Sequence, residues 1–213
     1  MAPRQKLRFC SPIPISSVNR SVQRLSGSGR ESGSLEMDLS GGSALDRALR
    51  DHHATVTRFL ATVDALDEAS WSAPWAEGKW TRAQVAEHIV LFYEVGIEAL
   101  AGGVAMRPQL PSWMMRVLRW FLLPHVLFHR SIPVRAAAPR ELRPLGRGLS
   151  RDETRELVGE LATCFAEAVP AAHADPTRMV AHPYFGAVRP LPFLRFAAVH
   201  LEHHLRQIAP RVP

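Results

Sequence analysis

The sequence predicts an all-α protein: a four-helix bundle with a Pro-rich helical insertion between helices two and three. Four long segments place apolar residues three and four positions apart, and no segment alternates as a half-buried strand does. The 213 residues, 46% hydrophobic and 22% charged, suffice for one packed domain. The predicted boundaries are a segment outside the fold at 1–42 and the bundle at 43–210, with the insertion at 107–149.

Residues 1–42 are predicted to lie outside the bundle. They are rich in Ser, Gly, Pro and Arg and show little hydrophobic periodicity, which is typical of a disordered tail. The same composition resembles an organellar transit peptide, although the segment lacks an amphipathic stripe. A simpler interpretation is an upstream extension, with the natural start at Met37.

Helix one is predicted to begin after Ser43, because Ser43 and Asp46 have the spacing of a capping box. Apolar residues then recur at helical spacing as far as Leu66. The loop that follows is rich in tryptophan. We predict that these side chains pack the corner between helices one and two, and the alternative is that one of them lines a pocket; they are Trp71, Trp75 and Trp80.

Helix two has a second capping box, formed by Thr81 and Gln84, and should run to about Leu100. Gly102 and Gly103 are expected to stop it.

The insertion contains an apolar stretch, 111–123, which is predicted to form a short helix that Pro124 ends. We hypothesise that this helix covers the bundle near His88, as a pocket mouth or a dimer contact, with membrane binding as a third possibility. Its inward-facing residues would be Trp113, Met115, Leu118 and Leu122.

Helix three should begin with a third capping box, Ser150 and Glu153, and end at Pro170. A loop with the sequence HPYFG follows it. Helix four should begin near Pro190 and end before Pro210.

Helix four carries the residues most suited to metal chemistry. His200 and His204 are four residues apart, so their Cβ atoms lie roughly 5–6 Å from each other on one helix face. The stripe continues through Ala197 and Phe193, which places both histidines towards the core. His203 offers a competing three-residue spacing, and periodicity does not choose between the two. A hydrogen-bonded core or a solvated polar edge would produce the same pattern without a metal.

A third histidine, His88, lies on the apolar side of helix two. At this point the sequence resembles the DinB-like superfamily, in which a Lys-Trp-Thr segment opens helix two, one histidine follows on it, and a HxxxH pair followed closely by Gln lies on the last helix. The HPYFG loop and HHLRQ are similar to one subgroup of that family. The matching residues are Lys79, Trp80, Thr81, His88, His200, His204 and Gln207.

The resemblance implies a four-helix bundle, a homodimer and a divalent metal held by His88, His200 and His204, with His204 preferred to His203 as the ligand. Further candidates to orient these ligands or contact substrate are Gln207, Arg206, His203, Tyr93 and His182. Arg206 stands where many relatives have Gly, and a long cation there could narrow the site. His182 precedes a proline, so its alternative role is to anchor the loop.

Three neutral imidazoles leave a coordination position open for water or substrate, as in catalytic rather than structural sites. A metal so held can lower the pKa of water to about 7 or ionise a thiol. Zinc and nickel are the first candidates, and iron and manganese the alternatives. By analogy within the family, the expected function is that of a thiol-transferase-like enzyme or small-molecule hydrolase, with a low-molecular-weight thiol as a candidate partner. A non-catalytic metal or small-ligand binding protein and a peripheral membrane-associated bundle are the rivals, so whether the chain is an enzyme is left open.

Charge argues against a nucleic-acid partner. Six basic and two acidic residues precede Met37, which leaves only +2 of the formal net charge of +6 for the rest of the chain. No apolar run is long enough for a transmembrane helix, and two cysteines are too few for a disulfide framework. These observations favour the cytoplasm.

Overall fold

The computed structural model describes residues 42–103, 106–133 and 137–209. The predicted tail, apart from Gly42, and the proposed start at Met37 therefore lie outside the described residues. None of the helices in the described ranges is both long enough and apolar enough to cross a membrane.

The four predicted bundle helices are present, and shorter elements lie between them. The helices are α1 Ala44–Asp64, α2 Glu68–Ser72, α3 Arg82–Leu100, α4 Ser112–Val117, α5 Leu123–His129, α6 Arg151–Ala174 and α7 Pro190–Ile208. A π turn, Leu118–Leu122, joins α4 to α5, and a 3-10 turn occupies Arg140–Leu142. The strands β1 Val180–His182 and β2 Gly186–Val188 form an antiparallel hairpin.

All three predicted capping boxes are confirmed. In each, the hydroxyl of the N-cap residue accepts the amide of the third helical residue, whose side chain accepts the N-cap amide in return. The pairs are Ser43 with Asp46, Thr81 with Gln84, and Ser150 with Glu153. These local interactions explain why the starts of α1, α3 and α6 follow directly from the sequence.

The predicted end of helix three at Pro170 was wrong, since α6 continues through the proline to Ala174. Pro170 lies on the exposed side of the helix, where water can reach the carbonyl that the proline leaves without a donor. On the opposite side, Val169 and Ala172 are buried in the core. Burial of this last turn therefore outweighs the missing hydrogen bond.

The core lies between α1, α3, α6 and α7. Phe59, Phe165 and Phe193 are fully buried within it. Gly96 allows α3 to approach α6 closely, because a Cβ atom at this position would lie 3.1 Å from the Phe165 ring. The four bundle helices thus present their apolar stripes to one another, as the periodicity predicted.

The insertion is helical for longer than predicted, because Pro124 does not end it. The π turn precedes the proline, and Pro124 occupies the first turn of α5, where its missing amide proton costs little. The predicted inward face is correct for Met115, which is buried, and for Leu118 and Leu122, which are half-buried. Trp113 is instead 61% exposed. It lies two positions before Met115, whereas Met115 and Leu118 are three positions apart, so Trp113 faces a different side of the helix.

The end of α5 is tied to the bundle by an ion-pair network. Arg130 adopts a left-handed conformation with φ 49° after the last residue of α5. Its guanidinium group donates to Asp51 on α1 at 2.8 Å and to Glu202 on α7 at 2.8 Å. The three side chains therefore join the insertion to two bundle helices.

The HPYFG segment was predicted as a loop and forms the turn of the β1–β2 hairpin. Val180 pairs with Val188 and His182 with Gly186. Three-residue strands are too short to show a period of two residues, which is why the sequence did not predict them. Gly186 has φ +67°, a conformation that favours glycine, and the hairpin packs against Met115 of α4.

Candidate metal centre

Three buried histidines from two bundle helices converge at one point. His88 lies on α3, and His200 and His204 lie one helical turn apart on α7. The Nε2 atom of His200 is 3.2 Å from that of His88 and 3.0 Å from that of His204. One ligand atom from each of the three residues lies within 4.8 Å of the others, so the cluster could hold a metal ion.

Two of the three rings have their proton positions fixed by oxygen acceptors. His88 Nδ1 is 2.6 Å from the Leu142 carbonyl oxygen, which can only accept a hydrogen bond. His204 Nδ1 is 2.8 Å from Gln207 Oε1, while the amide nitrogen of Gln207 faces His203 Nε2 at 3.1 Å. Both Nδ1 atoms are therefore the donors, and Nε2 of His88 and of His204 carries a lone pair.

These lone pairs fit a bound cation better than they fit each other. Both point at His200 Nε2, and the single proton that His200 can place there serves only one good hydrogen bond. A nitrogen lone pair thus remains directed at another nitrogen, which is unfavourable in a buried site. For a tetrahedral zinc ion bound at about 2.0–2.1 Å, two nitrogen ligands lie roughly 3.3 Å apart, close to the spacing found here.

His200 is oriented by aromatic rings. Its ring is stacked on Phe196, with an interplanar angle of 12° and centroids 5.6 Å apart, and it contacts Phe92 at 4.6 Å. Its Nδ1 atom is buried and has no hydrogen-bond partner among the described residues. Packing between Phe92 and Phe196 therefore orients the His200 ring, whereas hydrogen bonds to oxygen acceptors orient the other two rings.

Burial keeps all three imidazoles neutral, the form that binds metals. Desolvation lowers the pKa of His88, opposed by its hydrogen bond to the Leu142 carbonyl. Desolvation and the neighbouring histidines lower the pKa values of His200 and His204 well below the usual range. The cluster is thus ready to donate lone pairs at neutral pH.

The histidine cluster lines a cavity of about 620 Å³. Its walls come from the tryptophan loop, the insertion, the hairpin and α7. Most are apolar, and the side chains that define its shape include Trp75, Trp80, Leu118, Leu122, Phe185 and Phe196. Leu118 and Leu122 lie where the sequence predicted a pocket mouth. Lys79 is the only charged side chain among the described lining residues, and none of these is a carboxylate.

The sequence and the bundle fold are similar to those of known proteins. The sequence profile of the DinB superfamily matches residues 52–208. The chain belongs to the DinB superfamily. A solved structure, the crystal structure of TT2238, a four-helix bundle protein, is similar, with 26% sequence identity and a TM-score of 0.50, covering 76% of this chain and 95% of that one. A comparison with curated proteins gave no match.

Several further candidates lie around the cavity of this DinB-superfamily chain as the sequence suggested. His203, Gln207 and His182 all line it. Gln207 orients His204, and His203 is held by the Gln207 amide. The Nε2 atom of His203 thus faces Gln207.

Two candidates are corrected by the structure. Tyr93 lies five residues after His88, about 140° around the helix, and its hydroxyl group is 2.9 Å from His52 Nε2 in the core. Arg206 is exposed and does not line the cavity, because it lies two positions after His204, about 160° around α7.

Sequence reasoning missed the backbone and loop groups that complete the site. The Leu142 carbonyl orients His88, but a carbonyl leaves no mark in a residue pattern. Glu87 was not among the predicted site residues. It is buried and accepts the backbone amides of Leu145, Gly146 and Arg147, which fixes the segment next to Leu142. A charged residue on the apolar helix next to His88 was the one available signal.

Proposed function

We propose that this chain is a divalent-metal-dependent enzyme that acts on a small molecule, either a thiol-transferase-like enzyme or a small-molecule hydrolase. The observation that carries the proposal is the convergence of three neutral, buried Nε2 atoms on one wall of a largely apolar cavity. A site with three protein ligands leaves a position for a reactant, as catalytic metal sites do.

Each group around the cavity has a separate role in this proposal. His88, His200 and His204 would hold the ion, Leu142 and Gln207 orient two of them, and the cavity takes the substrate. When bound, the ion would supply Lewis-acid chemistry and favour the ionised form of a water molecule or thiol. The apolar walls limit water and so strengthen electrostatic interactions inside the cavity. Imidazole donors suit zinc or nickel, with iron or manganese as alternatives.

The ligand assignment is tested by elemental analysis of protein purified without a histidine tag. We expect one ion per wild-type chain and none in His200→Ala or His204→Ala, because two remaining imidazoles cannot hold an ion against buffer. His203→Ala is the matched control and should keep its metal, since its Nε2 atom faces Gln207. Equal losses in the His203 and His204 variants would overturn the assignment.

The reaction is tested by incubating metal-bound protein and His204→Ala with chlorodinitrobenzene and either cysteine or glutathione. Transfer of the thiol that depends on His204 supports a transferase. A set of aryl esters and amides tests hydrolysis in the same way. The lack of a carboxylate among the described lining residues favours one alternative, a non-catalytic metal or small-ligand binding protein. Stoichiometric metal without turnover of any of these compounds would favour that alternative.

The insertion also presents an aromatic surface, which we assign to a second copy of this chain. Four large aromatic side chains of this segment are 61–84% exposed: Trp113, Trp120, Phe121 and Phe128. Single exposed apolar residues are common on protein surfaces, but several on one segment indicate an interaction surface. Light scattering should detect a homodimer that Trp120→Glu dissociates. Arg116 is exposed beside them, so the same surface suits an anionic membrane. A monomer that sediments with anionic vesicles would favour peripheral membrane association.

A further inference from the structure

The cavity contains a second buried polar group, His182, at the end of β1. Its side chain is buried and lines the same cavity as the three-histidine cluster. Its Nδ1 atom accepts the backbone amides of Tyr184 and Phe185, both at 3.2 Å. Because an atom that accepts two N–H groups carries no proton, the proton of the neutral ring lies on Nε2.

The orientation of this ring is fixed as firmly as its proton. His182 is stacked on Phe185, with centroids 4.6 Å apart, and meets the edge of Phe196 at 4.8 Å. Burial lowers the pKa of His182 to about 3, so the ring stays neutral at physiological pH. Among the described residues no group accepts a hydrogen bond from His182 Nε2. This atom is also absent from the fully enclosed polar atoms that lack a partner, so it has some exposed surface. It is a donor that remains accessible.

We propose that His182 binds the ligand of this cavity, its Nε2–H donating to a neutral acceptor such as a carbonyl oxygen on a largely apolar molecule whose other end lies at the three-histidine cluster. The proposal rests on the proposed function, because it takes the cavity to be the substrate site.

The cavity walls define the class of ligand. They are mostly apolar, and the only charged lining side chain in the described chain is the exposed Lys79. A permanently neutral donor in such surroundings suits an uncharged acceptor, since His182 offers no charge to offset the hydration that an anion would lose.

The spacing also limits the ligand. Phe196 contacts both the His182 ring and the His200 ring, at 4.8 and 5.6 Å. Because the single ring of Phe196 contacts both imidazoles, we choose ligands in which one aromatic ring separates the acceptor from the metal-binding group.

Two matched probes fit this description, 4-acetylbenzyl mercaptan and 4-ethylbenzyl mercaptan. The thiol of each can bind the cluster's metal, and a methylene group separates it from the ring, so that the two thiols are similarly acidic and only the acetyl group offers a carbonyl acceptor. Binding is followed by titration calorimetry on the metal-bound protein. One hydrogen bond in a buried site corresponds to roughly a tenfold difference in Kd, so the acetyl compound should bind about ten times more tightly.

Two substitutions separate binding from anchoring of the hairpin. In His182→Asn, the side-chain oxygen can take the place of Nδ1 and accept the same two amides, but the Nε2 donor is lost. This variant should keep the wild-type melting temperature and its affinity for the ethyl probe while losing the preference for the acetyl probe. His182→Gln places an amide N–H near the Nε2 position and loses the Nδ1 acceptor. It should melt earlier yet retain part of the preference.

Equal binding of the two probes to wild-type protein would overturn the proposal, as would an acetyl preference that survives in His182→Asn. If His182→Asn does not fold, the wild-type protein still decides, because the ¹⁵N-coupled proton on His182 Nε2 should shift downfield with the acetyl probe and not with the ethyl probe. Metal content is measured in the same samples. Stoichiometric metal without an acetyl preference refutes the role of His182 alone, whereas absence of metal refutes the proposed metal centre.

Discussion

Replacing Glu87 by Ala should destabilise the protein and also weaken metal binding at the proposed three-histidine centre. The carboxylate of Glu87 is only 2% exposed. It accepts the amide of Leu145 at 2.8 Å, that of Gly146 at 3.2 Å and that of Arg147 at 3.2 Å. These bonds hold the chain just beyond Leu142, whose carbonyl orients His88. A single side chain on α3 thus anchors the segment that completes the cluster.

The expected cost follows from these three bonds. A hydrogen bond to a charged group contributes about 1.5–3 kcal/mol. The cost here should fall below this range, because Leu145, Gly146 and Arg147 are exposed and their freed amides can bind water. Removing a buried carboxylate also recovers part of its desolvation cost. We therefore expect about 1 kcal/mol for each bond, or roughly 3 kcal/mol in the free energy of unfolding. For a bundle of this size this corresponds to a fall of about 6–12 °C in Tm.

Glu94→Ala provides the matched control. Glu94 forms an ion pair with the same Arg147 side chain at 3.3 Å but accepts none of the three backbone amides. Its loss should cost less than about 1 kcal/mol, as expected for a pair near the surface. Thermal and denaturant unfolding of the two variants give the comparison, and metal titration should show about tenfold weaker binding for Glu87→Ala alone. Equal destabilisation by both substitutions, or unchanged metal affinity in Glu87→Ala, would refute this reasoning.

Three further predictions concern the core and the cluster. Burial lowers the pKa of His52 to about 4 and that of His182 to about 3, so below pH 6.5 the unfolded chain binds more protons than the folded one. As the pH is lowered from 6.5 to 4, each of these two histidines should therefore reduce the free energy of unfolding by about 3 kcal/mol. A free energy of unfolding that stays constant with pH in denaturant titrations would contradict this. Gln207→Ala should weaken metal binding at least about tenfold in a competition assay with a chelator, because His204 loses the acceptor that fixes its proton. Gly96→Ala should lower stability by about 1 kcal/mol despite its better helix propensity, since the new methyl group would meet the enclosed Phe165 ring; a higher Tm would show that the ring yields.

The features that could be predicted from the sequence are those set by local chemistry. The capping boxes at Ser43, Thr81 and Ser150 each depend on residues three positions apart, and all three formed. The spacing of His200 and His204 brought two rings onto one face of α7. The third histidine required the resemblance to the DinB-like superfamily, because no periodicity relates His88 to a residue 112 positions away.

The features that were missed depend on tertiary packing. Pro170 and Pro124 were both predicted to end helices, and both are accommodated by their surroundings: one faces solvent in α6, and the other follows a π turn. Tyr93 shows the opposite error, in which nearness in sequence suggested nearness in space. Its hydroxyl group faces His52 instead of the cluster. Local preferences state what a residue favours, but burial on the far side of the helix decides whether that preference is followed.

The cavity walls come from different parts of the chain, which explains why membership of the DinB superfamily predicts the three-histidine cluster but not the reaction. All three histidines come from bundle helices, which the family shares. The facing walls come largely from the insertion, including Leu118, Leu122 and the Leu142 turn, and from the hairpin that carries His182. Substitutions in these segments can change the shape and polarity of the cavity while leaving the three imidazoles in place. A DinB-superfamily bundle could therefore keep the three histidines and bind different molecules, so the specificity proposed for this cavity is to be sought in the insertion and the hairpin.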